Sequence, residues 1–370
     1  MCESIAPTEV FRRARGGIFG KILKPDAAVT RTAIPTPRRR PGLPWRRFVF
    51  AAAVVCGAAG GAWADPPAAS VYSRRPAAAL ATTAAALPRA TGSAAADGPA
   101  DAADSPQAER IVAGTLAAIS RADSFSCRIR QKARIGDHVL VGAGRYVQAG
   151  QGGERRFRYE STLTCDTESF EQLEVCDGLF CWMYRRNGPE TASLQRVDVR
   201  RVLDQLGQLK APEGVDPAPY LGGLPRMLWL LRESFRFTAA TAADFGGAGV
   251  WVVEGVWVPE RLAGFLPDVA EQAKQPDGIA AAALPDGMPW RIRLAIGRND
   301  LLLRRVEWLA IPGPRPVAAG AVPEPIAVLD IDEPQLGGPV DAAAFFYQPA
   351  TTGLMDVTEQ HVQTLRLMRP

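Results

Sequence analysis

The side chains able to do chemistry are few, and most of them are thiols and carboxylates. The chain of 370 residues holds two histidines, His138 and His361, and six cysteines. Four of the cysteines, Cys127, Cys165, Cys176 and Cys181, lie beyond residue 64. In an exported chain they read as disulfide cysteines with three possible pairings, or as four small apolar residues on strands. Cys176 and Cys181 are separated by four residues, which is wrong for a compact zinc knuckle, and with only two histidines no metal site is expected. No nucleophile elbow, zinc-protease helix motif, phosphate loop or dinucleotide fingerprint occurs. His138 falls in a turn and His361 near the tail, so a Ser–His or Cys–His arrangement is hard to assemble. Two carboxylate groups, Asp330/Asp332/Glu333 and Glu168/Glu171/Glu174, read as strand ends and exposed faces rather than as a hydrolase pair. The expectation is a protein that is not an enzyme and carries no cofactor.

The elements that would position any site come next. Ser105 and Pro106 suit an N-cap and a first helical position, and Ile111, Val112, Thr115, Leu116 and Ile119 then form one apolar face. Strands are predicted at 125–135, 139–148, 155–164, 170–176 and 179–185, the last two around a two-residue Asp177-Gly178 turn. Arginines at alternate strand positions, such as Arg128, Arg130, Arg156 and Arg158, imply one solvated sheet face. A helix at 199–209 presents Val202, Leu203, Leu206 and Leu209. The helix at 224–235 (LPRMLWLLRESF) is apolar nearly all round, which implies contacts on more than one side.

Strand character returns at 250–258, followed by a Pro/Gly-rich insertion at 259–289. A hairpin at 290–297 and 301–311, and strands at 326–331 and 345–348, complete the set. In the last of these Asp341 offers a turn acceptor, Phe345, Phe346 and Tyr347 form a short aromatic strand, and Pro349 ends it. No internal repeat is visible. This order gives an α+β fold: one strongly curved antiparallel sheet of about 9–11 strands with helices on one side.

Residues 1–64 read as a leader and signal peptide. Arg46-Arg47 precede the apolar run 48–63 (FVFAAAVVCGAAGGAW), and Ala62-Trp63-Ala64 fits cleavage after Ala64. The run is shorter than the ~20 residues a spanning helix needs. Residues 65–104 are an Ala/Pro-rich stretch with nothing to bury, read as a disordered linker. The folded domain is placed at 105–370. The leader holds a net charge of +8 and the whole chain +4, leaving −4 for the rest. The basic balance therefore belongs to the leader and gives no reason to expect nucleic-acid binding.

Several motifs resemble the LolA/LolB-type periplasmic lipoprotein carriers. Val340-Asp341-Ala342-Ala343-Ala344-Phe345-Phe346-Tyr347-Gln348-Pro349 with Gly353-Leu354-Met355-Asp356-Val357 is similar to that family's closing segment. Val175-Cys176-Asp177-Gly178-Leu179-Phe180-Cys181-Trp182-Met183-Tyr184 resembles its V-S-D-G-x-x-L-W-x-Y hairpin, and Gly142-Ala143-Gly144-Arg145-Tyr146 the strand before it. Where the LolA type has an Arg-Pro pair after the second strand, this chain has Ala149-Gly150-Gln151-Gly152-Gly153. The resemblance implies a half-barrel with helices on its concave side as a lid over an apolar hollow. The implied hollow wall is Tyr146, Phe157, Trp182, Tyr184, Met227, Leu228, Trp229, Leu231 and Trp251. The implied partners are an acylated lipoprotein or lipid, with envelope membrane proteins as donors or acceptors, for a monomer in the periplasm. A lipid- or lipoprotein-sensing domain resembling RseB-type regulators, or a structural envelope protein with a filled core, are the alternatives.

Overall fold

The computed structural model describes residues 105–136, 138–188, 192–208, 216–266, 271, 284–285, 287–309, 325–349 and 353–367. The leader, the signal segment, the linker and most of the expected insertion lie outside the described residues.

Helix α1 (Pro106–Arg121) starts as its sequence dictates: the Ser105 hydroxyl accepts from the Ala108 amide at 3.2 Å and Pro106 fills the first turn. Its buried face is the predicted Ile111, Val112, Thr115, Leu116 and Ile119. A meander follows: β1 (Ser124–Ile135), β2 (His138–Ala149), β3 (Arg156–Cys165), β4 (Glu168–Cys176), β5 (Phe180–Asn187) and β6 (Ser193–Asp198). Three helices interrupt, α2 (Val199–Gln208), α3 (Ala218–Leu221) and α4 (Gly223–Ser234). The second meander is β7 (Phe235–Phe245), β8 (Ala248–Trp257), helix α5 (Pro259–Phe265), β9 (Arg291–Gly297), β10 (Leu303–Leu309) and β11 (Pro325–Leu336). β12 (Leu354–Asp356) and α6 (Thr358–Leu367) end the described chain.

The twelve strands form one open sheet in the order β12-β6-β5-β4-β3-β2-β1-β11-β10-β9-β8-β7. Two antiparallel meanders are thus joined by the β1–β11 ladder, and β12 adds to β6 in parallel. The sheet must curl. Helix α4 packs on β3 and runs directly into β7, seven strand positions away in that order. Laid flat those strands would be about 34 Å apart, nearly twice the ~18 Å length of a 12-residue helix. Helices α1 and α4 lie on the concave side of this half-barrel, and the buried core runs between them and the sheet.

Several expectations are corrected. The strand count is twelve, not 9–11, because β6, β7 and β12 carry weak signals. β7 is rich in alanine, and it is its full-length pairing with the Val- and Trp-rich β8 that makes it a strand. The segment 345–348, read as a closing aromatic strand, pairs with no strand: Phe345 ends a 3-10 turn, Ala342–Phe345, and 346–348 have no regular structure. Asp341 does act as the turn acceptor, taking the Ala343 amide at 2.9 Å, and that cap on an alanine run outweighs the strand preference of the aromatics. Phe346 is 72% exposed. The two-residue turn at Asp177-Gly178 is wider than expected: Cys176 pairs with Cys181, and the Asp177 carboxylate accepts the Leu179 and Phe180 amides inside the loop.

The convex face differs along the sheet. Over β1 and β2 it is solvated, as the alternating arginines imply, with pairs such as Arg128–Glu333 and Arg130–Asp332, whereas over part of β3–β5 the segment around Phe345 and Tyr347 covers it and buries Val175 and Trp182. Over β9–β11 it holds an enclosed charge network. Glu307 takes Arg293 at 2.6 Å and Arg305 at 3.4 Å, and Arg305 also reaches Asp330 at 2.5 Å.

Candidate functional site

Cross-strand register decides which expected wall residues share a face. Cys127, Tyr146, Tyr159, Glu174 and Met183 pair in one row across β1–β5, and Phe125, Gln148, Phe157, Cys176 and Cys181 in the next. Directly paired residues share a face, and so do residues two apart. Tyr146 and Phe157 therefore point together to the concave side, where their rings stack at 6.2 Å. Trp182 and Tyr184 have the opposite parity and point to the convex side. This corrects the expected wall: Trp182 pairs with Val175 and Tyr184 with Leu173, which alternate with the inward-facing Glu174 and Cys176. Trp182 sits 5.5 Å from Phe180 and 6.2 Å from Tyr347, with the Arg196 guanidinium over it. Tyr184 lines a shallow convex-face cavity of about 310 Å³, with Arg158, Glu160, Thr162, Glu171 and Leu173.

Met227, Leu228 and Leu231 are buried in α4 and belong to the same core cluster as Tyr146 and Phe157. Trp229 is half-buried against Tyr220, ring centroids 5.5 Å apart. Trp251 is half-buried at the far end of the concave face, opposite Ile296, under the Arg298 guanidinium. The structure thus brings together Tyr146, Phe157, Met227, Leu228 and Leu231, and places Trp229 and Trp251 at the margins. Those five side chains pack as core. The Tyr146 hydroxyl donates to Gln148, whose amide donates to the Ile119 carbonyl at the end of α1. Arg155, fully buried, donates to the Ile119 and Ser120 carbonyls and so caps that helix end.

The closest approach of the lid to the sheet uses residues that periodicity does not reveal. Gly222 has φ 145° and ψ −163°, and Gly223 has φ 66°. A Cβ on Gly222 would fall 2.6 Å from the Phe157 ring, and one on Gly223 2.6 Å from the Tyr146 hydroxyl. Beside them lies a polar latch. The Arg226 guanidinium on α4 donates to His361 Nδ1 at 3.4 Å, and His361 Nε2 donates to the Tyr220 carbonyl at 2.9 Å. That pairing assigns the proton to Nε2. Glu174 on β4 faces Arg226 and Arg185 and accepts the Gly223 amide; burial nonetheless raises its carboxyl above the ordinary range. Burial, and then the Arg226 charge, lower the His361 imidazole to about 4.

A pH dependence follows. Above about pH 6.5 His361 is neutral in both folded and unfolded chains. As pH falls from 6.5 toward 4 the unfolded chain takes up a proton that the folded site resists, so stability drops across that window. The His361 contribution lost is at most about 3 kcal/mol. Urea midpoints at neutral and acid pH are expected to differ less in His361→Asn than in the parent, the difference between the two proteins cancelling the opposite contribution of Glu174. Equal pH slopes in both would overturn this.

The four cysteines among the described residues are buried free thiols, which matches the reading of them as small apolar side chains on strands. Cys176 and Cys181 face each other across the β4–β5 ladder with their thiols in hydrogen-bond contact, and each also reaches a backbone acceptor, the Arg155 carbonyl at 3.7 Å and the Leu221 carbonyl at 3.5 Å. Cys127 is pushed up to about 12 by burial, which leaves it a small apolar side chain at neutral pH.

No protein-family model and no curated protein matches the chain. Among solved structures it is similar to LprF from Mycobacterium bovis, at 12% identity and a TM-score of 0.32, over 65% of this chain and 97% of that one. It is similar to a LolA-superfamily protein from Nitrosomonas europaea at 11% identity and TM-score 0.24, over 65% and 97%. It is also similar to the MucA/MucB complex of Pseudomonas aeruginosa at 10% identity and TM-score 0.26, over 64% and 60%.

Proposed function

We propose that this is an exported periplasmic protein that holds acyl chains of a lipid or lipoprotein between the concave face of its half-barrel and a movable α4. The observation that carries this reading is the lid itself. One apolar helix lies on the concave face, its N-terminus is set down by two glycines, and its arginines are held by polar partners, Arg226 by His361 and Arg232 by Glu109. The signal-like run 48–63 supports export.

The energies are matched. Lifting α4 uncovers Leu224, Met227, Leu228 and Leu231, at about 1.5–3 kcal/mol each, or about 6–12 kcal/mol in all. Burying one 16-carbon chain returns about 12 kcal/mol at ~0.8 kcal/mol per CH₂. Exchange of lid for ligand is then close to balanced, as reversible loading requires. The second reading is a structural protein whose core stays filled, and the close packing of Tyr146 and Phe157 beneath Gly222-Gly223 favours it.

The test is titration of the full chain with a fluorescent 16-carbon fatty acid, competed by unlabelled palmitate. Saturable 1:1 uptake is expected, abolished by Leu228→Asp and unchanged by Trp182→Ala, whose ring lies on the other face. Absence of uptake by the folded parent would leave the filled-core reading. Loss of uptake in Trp182→Ala with its fold intact would move the site to the convex side.

A further inference from the structure

Away from the lid, at the end of the sheet where the β1–β2 and β3–β4 connections meet, three unlike donors converge. His138 opens β2, Cys165 closes β3, and Asp166 follows it in the turn. The imidazole nitrogen, the thiol sulfur and a carboxylate oxygen all lie within 4.8 Å of one another. We propose that His138, Cys165 and Asp166 form a site for a divalent transition-metal ion, of which Zn²⁺ fits the donor set best.

The spacing is the argument. His138 Nδ1 and the Asp166 carboxylate are 3.8 Å apart. That is too long for a hydrogen bond between them. It is close to the distance between two ligands of one tetrahedral ion: bonds of about 2.0–2.3 Å set ligand-to-ligand edges of roughly 3.3–3.7 Å. Mixed nitrogen, sulfur and oxygen donors suit Zn²⁺, while Ca²⁺ and Mg²⁺ prefer oxygen alone. Three protein ligands leave a fourth position for water.

The surroundings fit an ion taken from solution. His138 is 40% exposed and Asp166 82%, while Cys165 is nearly buried. The site therefore has one anchored soft ligand and two more exposed ones that can close by the roughly 1 Å that separates a 4.8 Å spread from a tetrahedral edge. Glu168 pairs with Cys165 across the β3–β4 ladder and adds negative charge on the same face. The ligands come from two connections brought together by the β2–β3 ladder, so spacing along the chain, 27 residues from His138 to Cys165, carries no metal signature.

The test uses the full chain, reduced and freed of metal by a chelator, titrated with Zn²⁺ by calorimetry and with Co²⁺ by absorption. One ion per chain is expected, with a thiolate-to-cobalt charge-transfer band. His138→Ala and Asp166→Asn, both at exposed positions, are expected to weaken binding by about tenfold or more. Cys165→Ser is expected to remove the band while Cys176→Ser keeps it. Melting temperatures without metal, unchanged in the two exposed variants, show that these effects are not misfolding. Three results would overturn the proposal: no saturable binding, binding equal to the parent in both His138→Ala and Asp166→Asn, or a band lost with Cys176→Ser instead.

Discussion

Replacing Glu307 by alanine is expected to lower folding stability by about 3–5 kcal/mol. Glu307 is 1% exposed and lies between Arg293 and Arg305, themselves 2% and 3% exposed. In the unfolded chain both guanidinium groups are hydrated. In the folded variant they would stay enclosed on the sheet without the carboxylate that they share, while Arg305 keeps Asp330. The Arg305 guanidinium also lies 4.7 Å from the Phe245 ring centre, so the site has little room to let water in. The comparison is Glu171→Ala, which removes a carboxylate paired with Arg186 at a half-exposed position. That loss is expected to be under about 1 kcal/mol. Urea unfolding followed by tryptophan emission measures both, and equal shifts would mean that water reaches the Glu307 network.

This network also shows where a linear sequence is readable and where it is not. The α1 face, the first five strands and the 224–235 helix follow from local rules. Ser105 caps, aliphatic residues recur at helical spacing, and apolar and charged residues alternate between turn signals. The α+β class follows from their order. Residues 292–309 read simply as a hairpin, and nothing local says that the Arg293, Arg305 and Glu307 face is closed off. That enclosure is a property of neighbouring strands.

The candidate site is legible in part for the same reason. The apolar content of 224–231 points to Met227, Leu228 and Leu231 and the aromatic strands to Tyr146 and Phe157, and these five share one buried cluster. Trp182 and Tyr184 lie on the other side, because they pair with Val175 and Leu173, which alternate with the inward-facing Glu174 and Cys176. Side chains alternate with period two, so the face follows from the pairing register and not from aromatic content. His361 seemed remote at the tail, yet α6 carries it back beside α3 and α4. Long-range latches of this kind have no signature in one chain's spacing.

Gly222→Ala is expected to have the second large effect, and its direction separates the two readings of the lid. The backbone at Gly222, φ 145° and ψ −163°, lies in a region open essentially to glycine alone. Any side chain there adds about 1–3 kcal/mol of backbone strain. The new methyl would also press on the Glu174 carboxylate and the Phe157 ring, which overpacks the site by a further ~1–3 kcal/mol. Gly264 in α5 is the control, since no heavy atom lies within 4 Å of an added Cβ and its φ is not positive; alanine there is expected to stabilise by about 0.5–1 kcal/mol. The strain at Gly222 is felt in the closed state, where α4 meets β3, and is relieved once the lid lifts. A carrier should respond by opening: faster amide hydrogen exchange over 218–234 and tighter uptake of the fatty-acid probe, with exchange in β1–β3 little changed. A protein whose filled core is its only state has no lifted form to favour. In that case Gly222→Ala lowers the unfolding midpoint as a whole, protection falls together in α4 and in β1–β3, and no uptake is gained.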